Sequence, residues 1–142
     1  MTGSDALCAE DPVKALYWMC RSFDDKKCLK ESGMKVGIIR CQQTEDMCPG
    51  NTDFKVAATG KMAFEQIGPV EIVGFVSCGG CPGKRAVTRA KMMVDRGAEA
   101  IVFASCISKG NPIGVPCPHF AVMRESVAKK IGEQTKIIDW TH

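Results

Sequence analysis

Aromatic residues make up only 6% of this 142-residue sequence, and its net charge is only +3. So weak a basic excess gives no reason to expect a nucleic-acid partner. No apolar run approaches the roughly 18 residues needed to cross a bilayer, so no membrane partner is expected either. The opening segment, MTGSDALCAEDP, has no basic head followed by an apolar stretch. No secretory signal is therefore expected, and the chain reads as cytoplasmic. A second CxxC, as in a zinc ribbon, is missing, and so is the C-x2-C-x2-C run of bacterial ferredoxins. GGCPGKR is one residue short of a phosphate loop and has Arg85 where a Ser or Thr would hold magnesium. That argues against ATP hydrolysis and leaves anion binding at the helix start open. Ser77, Ser105 and His119 come without a glycine-flanked serine elbow, so the two serines read as polar ends of buried strands.

What the sequence has in excess is cysteine. Nine are present, an odd number in a chain that reads as intracellular, which points away from a disulfide framework and toward metal binding or redox chemistry. At this length the chain fits one domain with a sizeable core. Residues 1–33 read as a helical, cysteine-containing extension. Asp11-Pro12 suits a helix start, and Val13, Leu16, Tyr17, Cys20 and Phe23 follow at helical spacing. Cys8, Cys20 and Cys28 show no tight ligand spacing; they read either as incidental or as part of a second site.

From Met34 the pattern becomes regular. MKVGIIRC reads as a strand ending in Cys41, and a helix is expected over about 52–66, with Ala57, Phe64 and Ile67 inward and Gly60 weakening its middle. Val70 to Val76 is a β-branched-rich run, expected to be a strand buried on both faces and ending near Cys78. Gly79-Gly80 then lets the backbone turn, with Cys81 at the N-cap and Pro82 in the first turn of a helix. That helix carries Ala86, Val87, Ala90, Met93 and Val94 on one face and stops near Arg96-Gly97. AEAIVFASC reads as the third strand, ending in Cys106. Cys117-Pro118 opens a helix with Phe120, Met123, Val127 and Ile131 inward, and KIIDWTH is a last strand.

Three times, then, a strand ends in Cys and a Cys-Pro pair begins the next helix: Cys41 with Cys48, Cys78 with Cys81, Cys106 with Cys117. Alternating strands and helices imply a three-layer α/β fold, a four-stranded parallel sheet flanked by helices, Rossmann- or flavodoxin-like, in the order 2-1-3-4. In such sheets the carboxyl ends of the strands share one edge, where ligands bind. All six cysteines are expected there, with His119 close behind Cys117 and His142 as a further candidate.

Helix starts favour thiolate, and Arg40, Lys84 and Arg85 would act in the same direction. A site rich in sulfur suits either an iron–sulfur cluster or zinc. The cysteine-only inventory places a 4Fe-4S cluster ahead of zinc. Held by three thiolates, it would leave one iron open for redox or small-molecule chemistry, including that of sulfur compounds. Arg40, Gly79, Gly80 and Lys84 are the candidates for holding a bound cofactor. A redox partner protein or a small-molecule substrate is the expected partner. A metal-free CxxC dithiol oxidoreductase is the remaining alternative, although it leaves four cysteines unexplained.

GIIRC at 37–41, CPG at 48–50, FVSCGGCPGK at 75–84, ASC at 104–106 and PCPH at 116–119 together resemble the CGGC-domain family of small prokaryotic proteins. The resemblance spans about residues 34–142. It implies a metal-binding domain, zinc being the metal usually suggested, and no defined biochemical role. It also implies Cys41, Cys48, Cys78, Cys81, Cys106, Cys117 and His119 as candidate ligands, and nothing for the first 33 residues.

Overall fold

A computed structural model of the protein describes residues 33–142. The helical reading of the first 33 residues, with Cys8, Cys20 and Cys28, lies outside the described residues apart from Gly33. Four strands, β1 (Lys35–Arg40), β2 (Glu71–Ser77), β3 (Ala100–Phe103) and β4 (Lys136–Ile138), form one sheet in the order β2-β1-β3-β4, with every pair parallel. The expected class and strand order are both present. Between the strands run α1 (Asn51–Thr59), α2 (Lys84–Asp95), the short α3 (Ser105–Ser108) and α4 (Phe120–Ile131).

Strand side chains alternate between two apolar layers. Val36, Ile38, Ala100 and Val102 pack with Val56, Ala57 and Phe64 on one face. Ile39, Ile101 and Phe103 pack with Ala90, Met93, Met123 and Val127 on the other. The inward faces read for α2 and α4 are those observed. Gly37 of β1 pairs with Gly74 of β2, and a Cβ on either would lie within 2.7 Å of the Met93 sulfur. Met93 thus fills a trough that these two residues leave open.

Several boundaries differ from expectation. β2 is an edge strand and only half-buried, not covered on both faces. Its register with β1 skips Val73, which is left exposed. A β-branched, apolar run therefore does not by itself separate a central strand from a half-buried edge strand. Helix α1 stops at Thr59, because Gly60 takes a left-handed φ of 63° and its N–H bonds back to Val56. Phe64 reaches the core from a separate 3-10 turn, Met62–Phe64.

β3 ends at Phe103, so Cys106 lies in α3 and not at a strand end. β4 ends at Ile138, and residues 139–142 run on as a tail. That tail is held by Ser105. Its hydroxyl donates to the His142 carbonyl at 2.7 Å and accepts from the N–H groups of Thr141 and His142 at 3.1 and 2.9 Å. The Thr141 hydroxyl in turn donates to the buried Asp53 carboxylate at 2.5 Å.

Ser105→Ala would strip these groups of their shared partner inside the protein. A loss of roughly 1–3 kcal/mol is expected, the cost of leaving buried polar groups unsatisfied. Lys109→Ala removes only an exposed contact to His142 and one to the Trp140 ring, so its expected cost is below about 1 kcal/mol. Urea unfolding midpoints of the two variants check the contrast.

Candidate metal centre

Because the sheet is entirely parallel, the carboxyl ends of β1, β2 and β3 open on one edge. Cys41 follows β1 directly, Cys78 follows β2, and Cys106 sits one residue into α3. Cys41 and Cys78 are buried within the apolar layer beneath α2 and α4, and Cys106 and Cys117 pack against that layer. The Cys41 N–H donates to the Cys106 sulfur at 3.2 Å, which ties the first and third corners together.

The Cys-Pro pairs do not begin the helices as expected. The N-caps are Gly50, Gly83 and His119, so each cysteine stands two residues ahead of its cap, with proline between. The offset is the same at all three corners. Gly50 and Gly83 adopt φ values of 81° and 87°, where a Cβ is disfavoured. The space is tight as well: a Cβ would come within 2.8 Å of the Phe75 ring at Gly50 and 2.9 Å of the Met123 sulfur at Gly83, and either side chain would have to shift. Cys81 is consequently exposed on its turn, whereas Cys78 is buried.

Arg40 is nine-tenths buried beside these loops. Its Nη2 donates to the carbonyls of Thr44 (2.9 Å) and Cys48 (2.5 Å) and to the Thr44 hydroxyl (3.3 Å). Its guanidinium lies 5.7 Å from the centre of the Phe75 ring. The loop carrying Cys41 and Cys48 is thereby wound around a fixed cation. The Arg40 Nε is buried with no partner among the described residues.

Burial pushes the Cys41 thiol above its ordinary value of 9.0; nearby Cys78 and Cys106 add to the rise, and the N–H groups of Gln43 and Thr44 oppose it. Burial also pushes Cys106 up, and Asp53 contributes. The Cys41 N–H, the Thr44 hydroxyl and Arg40 act against it. The expected drift toward thiolate is therefore reversed at these two positions. Arg40 does favour the Cys106 thiolate, but desolvation outweighs it.

The remaining candidates have other contacts. Cys48 is half-buried and accepts the Gly50 N–H at 3.4 Å. His119 and Lys84 line a cleft between α2 and α4. Gly79 packs on the Arg85 side chain, Gly80 faces Gln42, and His142 reaches Asp53 at 3.5 Å. Among the described residues, no three Cys, His, Asp or Glu side chains stand around one point as metal ligands. Thr44 and Asp53, both buried next to Cys106, escape a reading of the sequence. Their only signals are a hydroxyl three residues past a strand-end cysteine and a carboxylate in the first turn of a helix.

The CGGC domain model matches residues 35–142. The chain belongs to the CGGC-domain family. It is 38% identical over 110 residues, 73% of this chain and 81% of the relative, to the uncharacterized protein MJ0582 of Methanocaldococcus jannaschii. It is also 33% identical over 58 residues to the uncharacterized protein MJ0766 of the same organism, covering 40% of this chain and 83% of that one. No solved structure matches significantly. Like the rest of its family, this CGGC domain is cysteine-rich, a composition that suggests metal binding. No helix among its described residues is long and apolar enough to cross a membrane.

The two raised thiols set a pH dependence. Folded, they hold their protons more tightly than unfolded, where the ordinary value is 9.0. Their contribution is intact below that pH and is lost as pH rises through it, because the unfolded chain releases its protons first. In reduced, chelator-treated protein the urea midpoint is expected to fall between about pH 8 and about pH 10. Cys106→Ser should remove part of that fall.

Proposed function

We propose that this CGGC domain binds metal through sulfur at the carboxyl edge of its sheet, with Cys41, Cys78 and Cys106 as the central ligands and a 4Fe-4S cluster as the bound group. The observation that carries this reading is electrostatic. Cys78 and Cys106 each oppose the ionisation of the buried Cys41, and the Cys106 sulfur accepts the Cys41 N–H at 3.2 Å. A bound cation turns this opposition into a shared attraction, because it favours several thiolates at once.

The donor set fits the group in kind, being sulfur with few competing nitrogens or oxygens. Its present side-chain arrangement is not that of a formed site, so loading includes a reorientation of these thiols. Further sulfur ligands would come from Cys117, which packs against the same layer, or from the exposed Cys81. When bound, such a cluster supplies one-electron chemistry and, where an iron lacks a protein ligand, a position for a small molecule. Arg40 holds the loop of Cys41 and Cys48 and offers its free Nε–H as a donor toward developing negative charge. Thr44 donates to the carbonyl of Cys41 at 2.8 Å and so fixes the turn on which that sulfur is carried.

Iron, zinc and acid-labile sulfide per chain, measured on protein purified without oxygen, test the proposal. About four irons with matching sulfide are expected, and Cys41→Ser or Cys106→Ser should cut that content severalfold. About one zinc without iron would replace the cluster with a structural zinc site. Neither metal would overturn metal binding and favour dithiol chemistry at Cys78 and Cys81.

A further inference from the structure

Asp53, Thr141 and Ser105 are buried polar residues joined into one hydrogen-bonded chain at the carboxyl edge of the sheet. Asp53 lies in the first turn of α1, just past the corner of Cys48, and accepts the Thr141 hydroxyl. The oxygen of that hydroxyl accepts the Ser105 N–H at 3.2 Å. Ser105 is the first residue of α3, and Cys106 is the second. Asp53 is near enough to Cys106 to oppose its ionisation, so the chain stands beside that sulfur.

Helix α3 is a single turn of four residues, and so short a helix has no stability of its own. Its cap residue, Ala104, makes no side-chain bond, which leaves the N–H of Ser105 as one of the open donors of a helix start. The Thr141 hydroxyl satisfies it from 36 residues away, in place of a local cap. The chain entering the turn is fixed by the bond from the Ala104 N–H to the Ile39 carbonyl, and the chain leaving it by the bond from the Cys117 N–H to the Ile107 carbonyl. Between those points, the N–H and the hydroxyl of Ser105 both take their partners from the tail. Apolar side chains could hold a tail without desolvating a carboxylate, whereas a satisfied polar network specifies one geometry. The geometry specified here is that of the residue next to Cys106.

We propose that Thr141, held by Asp53, is a positioning residue of the thiol site. It caps α3 from the tail and so keeps the Cys106 sulfur where it accepts the Cys41 N–H at 3.2 Å. Thr141 supplies no ligand itself. The proposal rests on the metal reading only for what that sulfur is held for, and it makes the tail part of the centre although no residue of 139–142 carries a thiol.

The test labels the reduced, chelator-treated full chain with iodoacetamide under native conditions and counts modification at each cysteine by mass spectrometry. Thr141→Val keeps the shape and loses the hydroxyl, so Cys106 should be modified about fivefold faster, the effect of a missing cap on local opening. Thr141→Ser restores the hydroxyl and should label at the wild-type rate. Val36→Ala truncates the core toward the other end of β1, lowers global stability without touching the tail, and should leave Cys106 slow. In metal-loaded protein, metal per chain should fall in Thr141→Val and be kept in the other two variants. Wild-type labelling of Cys106 in Thr141→Val, equal acceleration in Val36→Ala, or undiminished metal in Thr141→Val would each overturn the assignment. If Thr141→Val does not fold, amide exchange in the wild-type protein decides: slow exchange of the Ser105 N–H is expected, and rapid exchange would overturn the cap. Absence of metal from the wild-type protein would sink the metal reading, while the labelling contrast still decides the positioning.

Discussion

Parallel pairing of β1 with both β2 and β3 is the constraint on which the rest of the molecule depends. A chain that pairs its strands in parallel must return across the sheet after each one, and here it returns through helices on both faces. Every strand-to-helix corner is thereby forced to the same edge. Three corners that are remote in sequence, at 41–50, 78–83 and 106–119, become neighbours without any motif linking them directly. The contact between the Cys41 N–H and the Cys106 sulfur, across 65 residues, is the most direct result.

Gathering thiols at such an edge has an electrostatic cost, and the protein meets it unevenly. Cys41 and Cys106 are shielded from water and raised, so they favour the protonated form. Arg40 is the compensating charge, yet its Nη2 is committed to the carbonyls of Thr44 and Cys48. Its primary effect is on the shape of the loop, and its effect on the thiols is secondary. Asp53 adds negative charge near Cys106 because the tail needs it as the acceptor for Thr141. The anchoring of the tail and the electrostatics of the edge therefore share a residue.

Much of this architecture was legible in the order of the residues. β-Branched runs alternating with amphipathic stretches give the class of sheet, and the faces of α2 and α4 follow from the spacing of Ala90, Met93, Met123 and Val127. The errors lie where one local signal has two physical meanings. Val70 to Val76 has the composition of a central strand, but a half-buried edge strand carries the same composition. Gly60 could weaken a helix or end it, and its left-handed φ decides for the ending. Cys-Pro looks like a helix start because proline tolerates the first turn, whereas the turn is completed one residue later by glycine or histidine. Thr44 and Asp53 were invisible because their burial comes from distant parts of the chain meeting.

The constant offset between each Cys-Pro pair and its helix cap bears on how such a domain can change over generations. Six residues lie between Cys41 and Cys48, two between Cys78 and Cys81, and ten between Cys106 and Cys117. The second sulfur of each pair is nevertheless placed by the helix that follows it, not by the length of chain before it. Insertions or deletions upstream of the proline are absorbed in the loop and leave that sulfur where it was. Loop length and the placement of the second sulfur are thus set by separate parts of the chain.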